Sequence, residues 1–284
     1  MPAAFIGHGS PMNALDRNRH TEAWRAFGEA IPTPRAVVCV SAHWYINATA
    51  VTAMAAPRTI HDFYGFSREL FAVEYPAPGA PELIGEIADL VAPTWIGADE
   101  DSWGLDHGTW SVLTHVFPNA DVPVVQLAIN AMKPLQYHFD LGRQLAGLRE
   151  RDVLVVGSGN VVHNLGLVDF AAGPTGEAWA HRFDDAVREA LTTDPEHVVT
   201  MERHHDFDLA VPTADHYIPM LYLAGIAAAS GETADVLVDG YFGGSLSMTA
   251  YTVGLESAGD IAAQHADGPA DLPLPDVPAD ETNL

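Results

Sequence analysis

Three histidines of this chain each follow a short apolar run that is typical of a buried strand. The histidines are His8, His43 and His163, and the runs before them are Ala3–Ile6, Ala36–Ser41 and Val153–Val156. Ligands of α/β proteins collect beyond the carboxyl ends of parallel strands, so we expect these side chains to meet at one edge of a sheet. Neutral imidazoles bind metal ions and carry protons near neutral pH. The pattern therefore predicts a metal or acid–base site.

Two more histidines lie in comparable positions. His107 belongs to a glycine-bracketed turn before a predicted helix, and His216 lies at the predicted start of another helix. Each of the five also has a simpler interpretation when taken alone, namely a side chain that makes ordinary hydrogen bonds in a turn or in the core. Their joint occurrence favours a metal or acid–base site over five unrelated structural histidines. Other histidines, among them His20 and His138, lie in polar or helical-surface patterns and are expected to be solvated.

A glycine loop, Gly157-Ser158-Gly159, precedes His163 and resembles part of a dinucleotide-binding fingerprint. The third glycine of that fingerprint is missing, because Val162 stands near its position, and no acidic residue ends a neighbouring strand. His163 is expected to open a helix, whose N-terminus disfavours the imidazolium form. The loop therefore favours a base at His163 over a phosphate site.

The elements that must position these histidines alternate between strands and helices. Further predicted strands are Val122–Ala128 and Thr249–Val253, and segments of helical period are Glu82–Val91, Leu135–Leu148, Glu177–Leu191 and Tyr217–Ser230. The alternation predicts one α/β catalytic domain over residues 1–255, with a central, mainly parallel or mixed sheet and helices on both faces. Residues 256–284, rich in Ala, Asp, Pro and Gly, are expected to form an acidic, flexible tail.

The charge of the chain excludes some classes of partner. Asp and Glu number 38 against 13 Lys and Arg, which gives a formal net charge of −25. Such a surface repels phosphate backbones and anionic membranes, so we expect no nucleic-acid and no membrane partner. Cys39 is the single cysteine, which excludes an internal disulfide and a thiolate metal cluster. A signal-peptide pattern and apolar runs of ~18 residues are both missing, which predicts a cytoplasmic protein.

Seven ordered motifs resemble those of the class III extradiol ring-cleavage dioxygenases, the LigB superfamily, and are most similar to its DOPA 4,5-dioxygenase type. The motifs are GHGSP (7–11), SAHW (41–44), HDFYGF (61–66), YPAPG (75–79), GLDHG (104–108), GSGNVVHN (157–164) and DH (215–216). The resemblance runs from residue 7 to about residue 250 and so covers nearly the whole chain.

The resemblance implies a role for each of the five histidines. His8, His43 and His216 match the metal ligands of the all-histidine branch, whereas protocatechuate-type enzymes use two histidines and a glutamate. His163 matches the acid/base histidine of the family, and His107 matches a second active-site histidine near the substrate hydroxyls. Three imidazoles leave positions open for two substrate oxygens and O₂, as non-haem iron requires, and they also suit zinc. We expect Fe(II) for activity and Zn(II) as an ion that can occupy the same site.

The implied reaction opens the ring of a catechol, so the expected partners are a small aromatic diol and O₂. Residues expected to line the substrate pocket are Trp44, His61, Tyr64 and Tyr217. Basic residues are rare near the motifs, so a carboxylated catechol such as DOPA is allowed but not implied. A monomer and a small homo-oligomer are both compatible with the sequence.

Two alternatives stay open at the level of sequence. A zinc-dependent hydrolase would need only three histidines and a bound water. A non-catalytic relative on the same fold would bind a peptide without turnover. The intact set of five histidines favours an enzyme over the second alternative.

Overall fold

Ten strands lie in residues 1–268, the part of the chain that the computed structural model describes. Their bounds are β1 Ala3–Gly7, β2 Ala36–Ile46, β3 Ala50–Thr52, β4 Gly97–Asp99, β5 Val124–Asn130, β6 Val153–Gly159, β7 Asp235–Val238, β8 Tyr241–Phe242, β9 Leu246–Ser247 and β10 Ala250–Val253. Eight of them form one mixed sheet in the order β4-β3-β5-β2-β6-β1-β10-β7, and β8 pairs with β9 separately.

The centre of the sheet is parallel. Strands β5, β2, β6 and β1 run in one direction, whereas β10 is antiparallel to β1 and β3 is antiparallel to β5. The carboxyl ends of β1, β2 and β6 therefore share one edge, where α/β folds commonly bind ligands. This is the edge at which the sequence predicts the histidine site.

Helices cover both faces of the sheet, as the sequence predicts. Their bounds are α1 Arg19–Ala30, α2 Leu83–Val91, α3 His107–Val116, α4 Leu135–Leu145, α5 Ala178–Thr193, α6 Phe207–Ala210, α7 Ile218–Ser230 and α8 Ala258–His265. Alternate residues of β1 enter different cores: Ala3 and Phe5 pack with α2, α4, α5 and α7, whereas Ala4 and Ile6 pack with α1, α3 and α8. A strand buried on both faces explains why β1 is apolar throughout.

The strands that carry the site differ from the predicted ones in two respects. Strand β2 continues past the predicted end to Ile46, and its register with β5 shifts between Val40 and Tyr45, so His43 lies within an irregular part of the strand. Strand β6 includes the glycines of 157–159, and no helix follows at His163, which instead forms an isolated bridge with Leu246. The prediction that His163 opens a helix, and that the helix dipole acts on its ring, is therefore wrong.

The structure also differs from the predictions for the C-terminal tail and for two histidines. The expected flexible tail begins with helix α8, because Ala258 and Ile261 give it an apolar side that is buried against the α1 face; residues 269–284 lie outside the described residues. His20 and His138, which we expected to be solvated, are both 0% exposed. Within residues 1–268, no helix has the length and apolar character needed to cross a membrane.

Candidate metal centre

His8 is held at the end of β1 by a tight loop. Gly9 has a φ of 58°, in the left-handed region that glycine adopts without strain. The Asn13 side-chain amide donates to the carbonyl of His8 at 2.9 Å, and the His8 backbone N–H donates to the carbonyl of Gly159 at 3.1 Å. Nδ1 of the ring lies 3.0 Å from the hydroxyl of Ser158 on β6. The contact at Nδ1 leaves Nε2 as the nitrogen that can meet a ligand.

His43 reaches the same place from β2. The register shift in this strand re-aims side chains, as bulges beside active sites commonly do. Nε2 of His43 lies 3.2 Å from Nε2 of His8, and Nδ1 lies 3.4 Å from Oδ2 of Asp62. Two imidazole nitrogens bound to one ion at ~2.1 Å are separated by roughly this distance.

His107 is the first residue of α3 and is completely buried. The preceding Asp106 caps the helix, since its Oδ1 accepts from the backbone N–H of Thr109 at 3.1 Å. Oδ1 of Asp62 accepts from the backbone N–H of His107 at 2.9 Å and lies 3.0 Å from Nδ1 of the same residue. The ring centroids of His107 and His43 are 3.8 Å apart.

His216 and His163 stack on each other. Their rings are 3.5 Å apart and 3° from parallel. Nδ1 of His216 lies 2.5 Å from a carboxylate oxygen of Asp215, and the His216 carbonyl accepts from the backbone N–H of Asn160 at 2.9 Å. The backbone N–H of His163 donates to Ala210 at 2.8 Å. Residues far apart in sequence thus form one packed unit.

The five rings make one cluster whose free nitrogens suit a metal ion. Nε2 of His107, His163 and His216 is buried without a hydrogen-bond partner, and orphaned buried nitrogens of this kind call for a ligand. One nitrogen from each of His8, His43 and His107 lies within 4.8 Å of the others. The ring centroid of His216 lies 5.4 Å from that of His8 and 5.0 Å from that of His43. A metal ion fits this donor set, and His107 and His216 both lie beside the His8–His43 pair.

Burial keeps three of the five imidazoles, those of His8, His43 and His163, neutral. It lowers the pKa of His8 well below its usual value, and the neighbouring histidines, His43 foremost, lower it further. The pKa values of His43 and His163 are lowered well below the usual value for the same reasons, burial first and a facing histidine second. A metal ligand and a proton acceptor must both be neutral, so the electrostatics favour these roles near neutral pH.

An indole pair includes Trp44, the residue that follows His43 in sequence. Trp44, next to His43, is 4% exposed and stacks on Trp103 with centroids 5.9 Å apart and planes 3° from parallel. The indole N–H of Trp103 donates to Oδ2 of Asp106 at 3.3 Å. Through this hydrogen bond, Asp106 links the Trp44–Trp103 pair to the start of α3. Burial, followed by the charge of Asp62, raises the pKa of Asp106 to about 6.

Other residues expected in the substrate pocket lie in different surroundings. His61 is half-buried against Phe63, and its Nε2 lies 2.9 Å from the carbonyl of Val73, whereas Tyr64 is 56% exposed. Tyr217, also expected in the substrate pocket, has a ring that is completely buried in the core, and its hydroxyl donates to the carbonyl of Val198 at 3.1 Å.

Comparison with known proteins decides the family. Residues 2–249 match the model of the catalytic LigB subunit of aromatic ring-opening dioxygenase. The chain belongs to the LigB family. It is 44% identical over 258 residues to a "4,5-DOPA dioxygenase extradiol" of Escherichia coli (strain K12), which covers 89% of this chain and 95% of that protein. A protein of the same description from Beta vulgaris is 35% identical over 258 residues, covering 87% and 94%.

A solved structure agrees with this assignment. An uncharacterized protein from Escherichia coli K12 matches with a TM-score of 0.79 and 40% identity, covering 89% of this chain and 100% of that one. As a LigB-family member with extradiol relatives, the chain is an extradiol ring-cleavage dioxygenase. The predicted family and enzyme class are thus confirmed, and the zinc hydrolase and the non-catalytic relative lose their support.

Sequence reasoning about this LigB-family enzyme missed the carboxylates behind the histidines. Asp62 and Asp215 are acidic neighbours of His61 and His216 in the motifs, and adjacency was the one available signal. A second histidine group, His204 and His205 with Asp206, lies at the surface. Arg182 donates to both oxygens of Asp206, at 2.9 and 3.0 Å, so this group is part of an ion-pair cluster.

Gly108 lies where a larger residue would disturb the metal centre. A Cβ there would come within 2.5 Å of the Ser41 hydroxyl and 2.8 Å of Cδ2 of His43. We expect Gly108→Ala to lower kcat/KM by about 10²-fold, because displacement of ~1 Å at a catalytic group has this effect. Gly85→Ala is the control, since nothing lies within 4 Å of a Cβ at Gly85 on α2. Equal kcat/KM in both variants would contradict the packing argument.

Proposed function

We propose that this LigB-family enzyme opens the ring of a catechol with O₂ and uses Fe(II) held by His8, His43 and His216. The observation that carries the proposal is a separate polar partner at Nδ1 of each ring: Ser158, Asp62 and Asp215. Metal-binding histidines almost always use their second nitrogen in this way, because the contact fixes the tautomer and orientation of the ring.

Iron is favoured by the reaction class, since bound Fe(II) supplies the electron transfer between a catechol and O₂ that zinc cannot supply. Three neutral imidazoles suit either ion. We therefore infer that Fe(II) is the active metal and that Zn(II) occupies the site without supporting turnover.

Proton transfer is assigned to the two histidines outside the ligand set. Nε2 of His163 is buried and unpartnered, and its lowered pKa makes it a neutral acceptor for a substrate hydroxyl proton. His107 has the same orphaned Nε2, while its Nδ1 faces Asp62. Two acceptors beside one metal centre match the two hydroxyl protons of a catechol.

The Trp44–Trp103 pair and the relatives of this enzyme indicate the class of substrate. Trp44 follows His43 in sequence and stacks on Trp103, and we infer that this indole pair contacts the aromatic ring of the substrate. Relatives from Escherichia coli and Beta vulgaris carry the description "4,5-DOPA dioxygenase extradiol". We infer that a catechol with a small polar side chain, DOPA-like, is preferred to a bulky polycyclic diol. The cytoplasmic location and the oligomeric state stay predictions.

Oxygen uptake tests the proposal. Metal-free protein is loaded anaerobically with Fe(II) or Zn(II) and mixed with DOPA, protocatechuate or catechol, and O₂ consumption and yellow product are followed after oxygen is admitted. We expect uptake matched to product with iron alone, fastest with DOPA, and lost in His216→Ala. Full iron loading without uptake on any of the three catechols would overturn the proposal. Equal turnover with zinc would overturn the metal assignment.

A further inference from the structure

Asp62 lies between two of the five histidines. Its side chain is 16% exposed. Oδ1 accepts from the backbone N–H of His107 at 2.9 Å and lies 3.0 Å from Nδ1 of that ring, while Oδ2 lies 3.4 Å from Nδ1 of His43. The two oxygens of one carboxylate thus face two rings whose centroids are 3.8 Å apart.

An ionised carboxylate only accepts hydrogen bonds. A neutral imidazole that faces it through Nδ1 must therefore carry its proton on Nδ1, which leaves the lone pair on Nε2. At His43 that lone pair lies at the metal centre, 3.2 Å from Nε2 of His8, and at His107 it lies on a buried atom without a partner. One side chain therefore selects the tautomer that both proposed roles require.

The other contacts at Nδ1 are of a different kind. Ser158, at His8, is a hydroxyl that donates or accepts, and Asp215 faces Nδ1 of His216 rather than His43 or His107. The Ser158 hydroxyl also donates to the carbonyl of Gly108 at 2.5 Å, which leaves its lone pairs to accept from His8. The tautomers of His8 and His216 therefore have independent supports, whereas those of His43 and His107 share one.

We propose that Asp62 is a positioning residue that sets the tautomers of His43 and His107 together, and so couples a metal ligand to a proton carrier. The inference rests on the proposed function for the roles of these two histidines. Loss of such a support at a metal-binding histidine weakens metal binding by about 10–100-fold.

Asp62→Asn is the decisive variant because the amide keeps the shape but has one accepting oxygen. The backbone N–H of His107 donates to Oδ1, and Nδ1 of the same residue lies 3.0 Å from that oxygen, so the amide oxygen is expected to occupy this position. The NH₂ group then faces Nδ1 of His43, which must give up its proton and accept. His43 is expected to move its proton to Nε2, where it blocks the metal.

The test measures tautomers and metal affinity and needs no turnover. In metal-free, ¹⁵N-histidine-labelled protein at pH 8, long-range ¹H–¹⁵N spectra are expected to show Nδ1–H on His43 and His107 in the wild type. In Asp62→Asn, His43 is expected to show Nε2–H, with Zn(II) affinity about 10–100-fold weaker in competition with a chromophoric chelator.

Asp215→Asn is the matched control, because Asp215 faces Nδ1 of His216 and not that of His43 or His107. Asp62→Ala, which offers no donor, is the second variant if the amide prevents folding, and both rings are then expected to exchange between tautomers. Nδ1–H on both rings in either Asp62 variant, with wild-type Zn(II) affinity, would overturn the inference. The tautomer spectra and the Zn(II) affinities do not depend on the result of the catechol assay. The proposal for Asp62 and the proposal of catechol ring opening can therefore be refuted independently.

Discussion

Replacing His163 with phenylalanine is expected to lower kcat by about 10²–10⁴-fold, the usual contribution of a general acid or base. His163 stacks on His216 at 3.5 Å, so a phenylalanine ring preserves that packing while removing both nitrogens. Iron affinity should therefore stay within a few-fold of wild type. Steady-state kinetics on the Fe(II) enzyme, together with an iron titration, check both parts.

His163→Ala separates packing from proton transfer. It removes the ring against which His216 rests and should lose iron affinity as well as kcat. A phenylalanine variant with near wild-type kcat would show that His163 only supports His216. In that case His107, which has the other orphaned Nε2, would carry the proton alone.

Metal-free protein is expected to lose stability steeply below pH 6.5. Burial lowers the pKa of His20 to about 3 and that of His138 to about 4, and it lowers the pKa values of His8, His43 and His163 in the same direction. Unfolded histidines bind protons below pH ~6.5 while these folded rings do not, so stability falls as pH falls. His20 and His138 each remove about 1.3 kcal/mol between pH 7.5 and 5.5, and the other three rings act in the same direction.

The summed effect of His20 and His138, about 2.6 kcal/mol, is a large part of the whole stability of an ordinary domain, ~5–15 kcal/mol. Asp106 opposes it, because its raised pKa of about 6 makes the folded state bind a proton first, but this offsets only about 1 kcal/mol. Denaturant unfolding at pH 7.5 and 5.5 measures the change. His138→Gln should reduce the change by about 1 kcal/mol, and equal stability at both pH values would refute the argument.

The sequence predicts elements well where composition and burial agree. Strand β1 is apolar because both of its faces are covered, so the sequence alone shows where this strand lies in the chain. Strands β3 and β4, Ala50–Thr52 and Gly97–Asp99, have three residues each at one side of the sheet and were missed, because so short a segment has no measurable period. Helix α1 was missed because its charged residues dilute the apolar side that Trp24 and Phe27 provide.

The sequence predicted the histidines of the candidate site but not the residues that hold them in place. Histidines at strand ends and in ordered motifs could be found, but Asp62 could not, because its role depends on a loop meeting both β2 and α3. His20 shows the converse failure: one exposed-looking position on a charged helix is buried by tertiary packing. Contacts between distant segments leave no local pattern in the chain.

The place of β1 in the sheet has a consequence for synthesis on the ribosome. This first strand, which ends at His8, pairs on one side with β6, Val153–Gly159, and on the other with β10, Ala250–Val253. Both partners emerge long after it, so a nascent chain shorter than about 250 residues carries β1 with an open edge, the kind that recruits other strands. His8, the proposed metal ligand that is translated first, therefore lies on a strand that is among the last to be fully paired, and we expect nascent chains to need protection until β10 has left the exit tunnel.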